Sequence, residues 1–297
     1  MEAPGRKGFS IVFSLLVLFL FGYMSFKIFK QPATDSESTE MATSTQVLWG
    51  AYTGNSEESM WAFEELIGSK MPIHVMFWGW DEIFPESEAG AEGKTLLLFW
   101  EPAFGYKDIV NGKQDAYIKK FAQGAKAYGY LIILAPFDEF NLNESAWGNG
   151  VGDNTPQSFI AAWRKVRTIF REENVGNVQF ALVYNNDTIP KGSFASFYPG
   201  DEYVDIVGVD GFNFDTKTFP EIFDRALLEA KALGTKPVWI TSTGSIWPQN
   251  DFIKNFGKTG LPWIWFNEAP FDVKADALAD FTAIAPSFST STAILPR

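Results

Sequence analysis

The chain has no cysteine, and only one of its 297 residues is a histidine. The first absence removes disulfides, thiolate metal centres and cysteine nucleophiles together. The second removes histidine-rich metal clusters and leaves a Ser-His-Asp triad one candidate base, His74. His74 sits in an apolar run, where a hydrogen-bonded core residue is the expectation. Positive charge is also short, 24 Lys and Arg against 36 Asp and Glu, for a net charge of −12. All of that excess lies after residue 45, because Arg6, Lys7, Lys27 and Lys30 cancel Glu2, Asp35, Glu37 and Glu40. Such a domain repels phosphate backbones, so no nucleic acid is expected as a partner and a neutral ligand is easier to accept. Proton transfer falls to carboxylates. The 25 Gly and 16 Pro are dispersed, which excludes collagen-like, low-complexity and wholly disordered chains.

Aromatic residues are abundant, with 29 Phe, 11 Trp and 9 Tyr making 16% of the chain. That exceeds what a core requires and predicts aromatic surface against a ligand. One uncharged apolar run, Phe9 to Phe26, lies between Arg6-Lys7 and Lys27-Lys30. It is long enough to span a bilayer and no small-x-small cleavage site follows it, so residues 1–30 are predicted to be an uncleaved single transmembrane anchor and 31–45 a polar linker. Basic residues are matched on the two flanks, so charge does not set the orientation.

Residues 46–297 read as one domain of (β/α)8 size, about 250 residues. Short, near-continuous apolar runs recur at 47–52, 74–80, 95–101, 130–137, 178–184, 203–210, 236–241 and 261–267, the pattern of strands buried on both faces. Helical stripes fall between several of them. Thr155 can cap a helix with Pro156 in its first turn, and Phe159, Trp163, Val166 and Phe170 then share one face. Tyr117, Phe121, Gly124 and Tyr128 repeat likewise, and 57–67, 220–233 and 274–281 are further helical candidates. The connections after the second and fifth strands look irregular. The alternation predicts an α/β fold, a (β/α)8 TIM barrel, with an open doubly wound sheet as the alternative.

Barrel enzymes carry their reactive groups at the carboxyl ends of the strands. Those ends hold Asp81, Glu101, Asp138, Glu139, Asp210, Asn267 and Glu268. Trp100, Trp147, Tyr184, Phe212, Trp247 and Trp265 lie near the same ends and offer flat apolar faces suited to sugar rings, although inward barrel layers also take bulky side chains. Together they predict a carbohydrate cleft.

The segments LFWEPAFGYKDIVNGKQDAYIKKFAQGAKAYGYLIILAPFDEFN, AWG, FIAAWRKV, FYPGDEYVDIVGVDGFN and WFNE resemble, in order and spacing, glycoside hydrolase family 26, the endo-β-1,4-mannanases and related β-glycanases. The resemblance covers nearly all of 46–285. It implies a (β/α)8 barrel and retaining hydrolysis of β-linked polysaccharide of mannan type by two glutamates. Glu139, in Asp138-Glu139-Phe140-Asn141, matches the general acid/base, with Asn141 placed to orient the sugar or the acid. The nucleophile position, after Thr241 in the seventh strand, is held by Ser242. Ala135 stands where the family usually has Arg, Asp138 where it has His, and Phe212 where it has Tyr. Retention needs two carboxyl groups about 5–5.5 Å apart, one of them ionised, and a neutral hydroxyl does not replace it.

Three readings follow. In the first the domain is a hydrolase of altered, inverting mechanism with Asp210, Glu101 or Glu268 as second carboxylate. In the second it is a membrane-tethered pseudoenzyme that binds β-linked glycan, and in the third a structural barrel without glycan. The expected site combines Glu139 and Ser242 with Trp100, Glu101, Asn141, Trp147, Tyr184, Asp210, Phe212, Trp247 and Trp265. A polysaccharide substrate places the barrel on the extracytoplasmic side. Asp153-Asn154 lacks a complete set of oxygen ligands, so no metal is expected, and no cofactor is required. Asn143-Glu-Ser and Asn186-Asp-Thr match glycosylation acceptors.

Overall fold

Eight parallel strands close into a barrel in strand order one to eight in the computed structural model, which describes residues 47–285 apart from 88, 90–93, 188–192 and 247–248. They are β1 (Trp49–Tyr52), β2 (Ile73–Gly79), β3 (Thr95–Glu101), β4 (Ile132–Pro136), β5 (Val178–Asn185), β6 (Ile206–Asn213), β7 (Val238–Ser245) and β8 (Trp263–Phe266). The helices are α1 (Glu57–Ile67), α2 (Lys107–Val110), α3 (Asp115–Tyr128), α4 (Pro156–Glu172), α5 (Phe219–Ala232), α6 (Gln249–Thr259) and α7 (Leu278–Ile284). The open-sheet alternative is excluded by the pairing of β1 with β8. The predicted anchor 9–26, the linker and Trp247 lie outside the described residues. Among the described residues no helix is long and apolar enough to cross a membrane.

Strand parity sorts the core into two layers. Ile73 and Val75, Leu97 and Phe99, Ile133 and Ala135, Ala181 and Val183, and then Ile206, Trp239 and Ile264 fill the interior, while the residues between them pack against the helices. The interior is therefore a packed stack, and in barrels of this kind ligands bind above it, at the carboxyl ends. Helix α4 shows how sequence sets an element. Thr155 and Ser158 form a reciprocal capping box, a proline occupies the first turn, and Phe159, Ala162, Trp163, Val166, Ile169 and Phe170 are buried.

The opposite end is closed by charge. Glu64 is buried and accepts from Lys70 Nζ at 2.7 Å, Lys94 Nζ at 2.6 Å and the Met71 amide at 2.7 Å. Burial pushes its carboxyl up, but these hydrogen bonds outweigh that and hold it below the ordinary range. His74 is buried there as a core residue, its Nδ1 at 3.0 Å from the Ala89 carbonyl oxygen.

Candidate active site

Two turns of irregular backbone carry the central residues. After β4 the chain places Phe137 at φ +60° and Glu139 at φ +52°, left-handed conformations that cost about 1–2 kcal/mol for residues with a Cβ. The twist lets Asp138 and Glu139 both stand at the barrel mouth. Glu139 is fixed by its amide, which donates to the Val183 carbonyl at 3.1 Å, and by Asn185 Nδ2, which donates to Oε1 at 2.8 Å. On the far wall β6 and β7 slip register: Val209 pairs with Ile240 but Asp210 pairs with Ser242, leaving Thr241 as an extra residue. Register partners on parallel strands share a face, so Ser242 turns inward with Asp210, and Thr241 Oγ1 also reaches Asp210 Oδ1 at 2.6 Å. Ser242 is nonetheless buried at this mouth, with 3% of its surface exposed.

The carboxyl groups crowd one another. Burial and the Glu139 charge push Glu101 up to about 7. Burial raises Asp138 well above the usual range, reinforced by Glu101, Glu139 and Asp210. Asp210 is raised likewise, by burial and then Glu139, against hydrogen bonds from Thr241 and the Ser242 amide. Glu139 is raised by burial, with the Asn185 hydrogen bond opposing and Glu144 adding to the rise. Like charges confined in low dielectric oppose one another's ionisation, so every carboxyl of the cluster is shifted towards its neutral form. None of these carboxylates takes part in an ion pair among the described residues.

Two pockets meet at Glu139. One, of about 210 Å³, is lined by Glu101, Asp138, Glu139, Leu142, Glu144, Ser145 and Trp147. The other, of about 470 Å³, includes Glu139, Glu144, Asn185, Asp187, Phe212, Phe214 and Lys217. Trp147, partly buried, is oriented by donating Nε1 to the Asp138 carbonyl at 2.8 Å. Rings from several strand ends adjoin: Tyr52 meets Phe77 at 4.8 Å and Phe266 at 5.0 Å, and Phe212 meets Phe266 at 5.8 Å.

Glu101, Glu139, Trp147 and Phe212 thus come together around the two pockets, with Ser242 behind them. Five other expected contact residues line neither pocket. Trp100, Tyr184 and Trp265 are fully buried on the helix-facing side, where Trp100 stacks on Phe121 at 4.1 Å and Tyr184 on Phe194 at 4.1 Å. The reason is parity: each neighbours an inward residue, Phe99, Val183 and Ile264. Asn141 is fully buried, ties both backbone groups of Asn185, and so acts on Glu139 through Asn185. Asp210 is buried under Thr241 and Ser242. Sequence reasoning passed over Tyr52, Phe77, Asn185, Glu144 and Phe214. For Tyr52, Phe77 and Asn185, counting alternate residues to the strand end would have found them.

Acidic groups gathered at the carboxyl end of a closed parallel barrel, beside partly exposed rings, define a molecule of the glycoside-hydrolase type. The family model "Glycosyl hydrolase family 26" matches residues 94–282, and the chain belongs to that family. It is 37% identical over 215 residues to Endoglucanase H of Acetivibrio thermocellus, a match covering 66% of this chain and 24% of that protein. It is 28% identical over 156 residues to Mannan endo-1,4-beta-mannosidase A and B of Caldalkalibacillus mannanilyticus, covering 48% of this chain and 29% of that one. The chain therefore spans about a quarter of the length of these curated relatives. Among solved structures, the Bacillus subtilis mannanase man26 superposes with a TM-score of 0.65 at 17% identity, covering 86% of this chain and 91% of that one, a likeness of fold.

Proposed function

We propose that the domain holds β-linked polysaccharide of mannan type in the groove around Glu139, with Glu139 as proton donor, and that Ser242 in the nucleophile position removes double displacement, leaving a membrane-anchored glycan-binding member of its family. One observation carries this reading: on the inward face of β7 the chain offers an uncharged hydroxyl, and the adjacent Asp210 is buried, which pushes its carboxyl well above the ordinary range. Retention needs an ionised carboxylate there. The names of the relatives, an endoglucanase and a mannosidase, support β-glycan as ligand. The apolar segment 9–26 supports the anchor, and a polysaccharide ligand supports an extracytoplasmic barrel.

The test is incubation with mannan, glucomannan and mixed-linkage glucan, following both binding and new reducing ends. Binding without new ends is expected, and Ser242→Glu is expected to create hydrolysis with retained configuration. Absence of binding to all three polymers overturns the reading. A second reading, inverting hydrolysis, is favoured by one observation: Glu101 and Glu139 line one pocket, and burial, then the Glu139 charge, lift Glu101 to about 7, so two carboxyls face one cavity. Under it, reducing ends form with inverted configuration and Glu101→Gln abolishes them.

A further inference from the structure

Phe214, just past the end of β6, leaves a large apolar ring in water at the barrel mouth. With 69% of its surface exposed, it is the only exposed large hydrophobic side chain among the described residues that lines either pocket. A single apolar side chain on a surface needs no explanation by itself. This one is built in. Asn213 Oδ1 accepts from the Asp215 amide at 3.2 Å and its Nδ2 donates to the Lys217 carbonyl at 2.8 Å, which closes the turn that carries Phe214. The ring then rests against Phe271, centroids 5.1 Å apart, and near Phe212 at 6.2 Å. Phe271 is buried and comes so close to β7 that a methyl on Gly244 would lie 2.6 Å from its Cγ, an approach only glycine allows. Its carbonyl accepts from Trp265 Nε1 at 3.0 Å. The loops after β6 and β8 thus hold one ring fixed from beneath while most of its surface stays open.

Its place along the groove gives that surface a use. Trp147 lines only the smaller pocket, Phe214 only the larger, and Glu139 lines both. A glycan running past Glu139 through the two pockets meets one aromatic ring in each. Hexopyranoses carry hydroxyls around their edge and C–H groups on their faces, so a face can cover an aromatic ring while the edge keeps its hydrogen bonds. We propose that Phe214 is a specificity-determining residue of the groove, the platform on which a second hexose of the β-linked chain stacks, beyond the ring seated beside Glu139. Asp187, Asp215 and Lys217 line the same cavity and supply acceptors and a donor for its edge hydroxyls. The inference rests on the reading of the groove as a β-glycan site and adds where the chain leads from Glu139. At about 470 Å³ against about 210 Å³, the Phe214 side is the roomier of the two.

The experiment is equilibrium titration of the full chain in detergent with mannohexaose and cellohexaose. Phe214→Ala is expected to weaken the better-bound hexasaccharide about tenfold, as for the loss of one stacked ring. Phe214→Trp, which keeps a flat face, is expected to bind as tightly as the parent or more so, and Phe214→Leu, apolar without a ring, to fall with the alanine variant. Leu228→Ala, an equally exposed apolar change on α5 outside both pockets, is expected to leave affinity unchanged. Parent-like affinity in Phe214→Ala overturns this inference and leaves the glycan-groove reading standing. Parent-like affinity in Phe214→Leu also overturns it, by showing that apolar bulk suffices, and so does an equal loss in Leu228→Ala. Failure of the parent to bind either hexasaccharide overturns both.

Discussion

Glu101 ends β3 on the inward face, where burial and Glu139 lift its carboxyl from 4.5 to about 7. Between those values the folded chain keeps a proton that the unfolded chain has lost, so stability falls as pH rises from about 4.5 to about 7 and stays lower above it. At about 1.4 kcal/mol for each pKa step, the penalty at pH 8 is on the order of 3 kcal/mol. Glu101→Gln is expected to flatten this slope and to stabilise the protein at pH 8 relative to the parent. Urea unfolding at pH 5 and pH 8 measures it, and an unchanged slope would show that the penalty lies on other carboxyls. Asn185 acts on Glu139 in the opposite sense, because its hydrogen bond at 2.8 Å favours the ionised form. Asn185→Ala is expected to raise the Glu139 pKa further, as read by carbon-detected titration of the labelled carboxyl. A downward shift would refute the assigned role. At this level the sequence revealed Glu139 and Glu101 through their places at strand ends. It concealed the burial of Trp100, Tyr184 and Trp265, because an aromatic beside a strand end points to groove or helix according to one step of register.

The slip between β6 and β7 turns both Thr241 and Ser242 toward Asp210, and a glycine makes room for it. A methyl on Gly208 would lie 2.5 Å from Thr241 Oγ1 and 2.9 Å from Val183 Cγ2. Gly208→Ala is accordingly expected to cost about 1–3 kcal/mol and to break the Thr241 to Asp210 hydrogen bond. Chemical denaturation checks the first, and loss of glycan affinity beyond the unfolded fraction checks the second. No composition rule announces such a slip, since Thr241-Ser242-Thr243 reads as ordinary strand. The regular elements were easier. All eight strands fall within a few residues of their apolar runs, α1 spans the expected 57–67, and α4 begins after Thr155. Helix α7 starts at Leu278, later than the 274 expected, and α6 has no counterpart among the expected helices although Phe252, Ile253 and Phe256 share its buried face. Its polar neighbours, Gln249 to Asp251 and Lys254 to Asn255, masked the stripe.

The chain as a whole joins a barrel with acidic strand ends to a segment whose composition suits a bilayer. The full chain is expected to sediment with membranes and to be released by detergent and not by salt, whereas a chain lacking residues 1–30 stays in the supernatant. Recovery of the full chain in the soluble fraction would exclude the anchor. The family and the closed barrel were legible from motif order and spacing, because those depend on hydrophobic period and strand ends. The two-sided groove and its crowding were not, because they depend on which side chains meet across the mouth.

The packed interior layers and the Glu64–Lys94 closure at the far end share no residue with the mouth. Mutations at the mouth can therefore change the chemistry of such a molecule while the barrel beneath still closes. The same separation works in reverse: a lost reaction can be rebuilt at the rim by a few exchanges, with the foundation untouched.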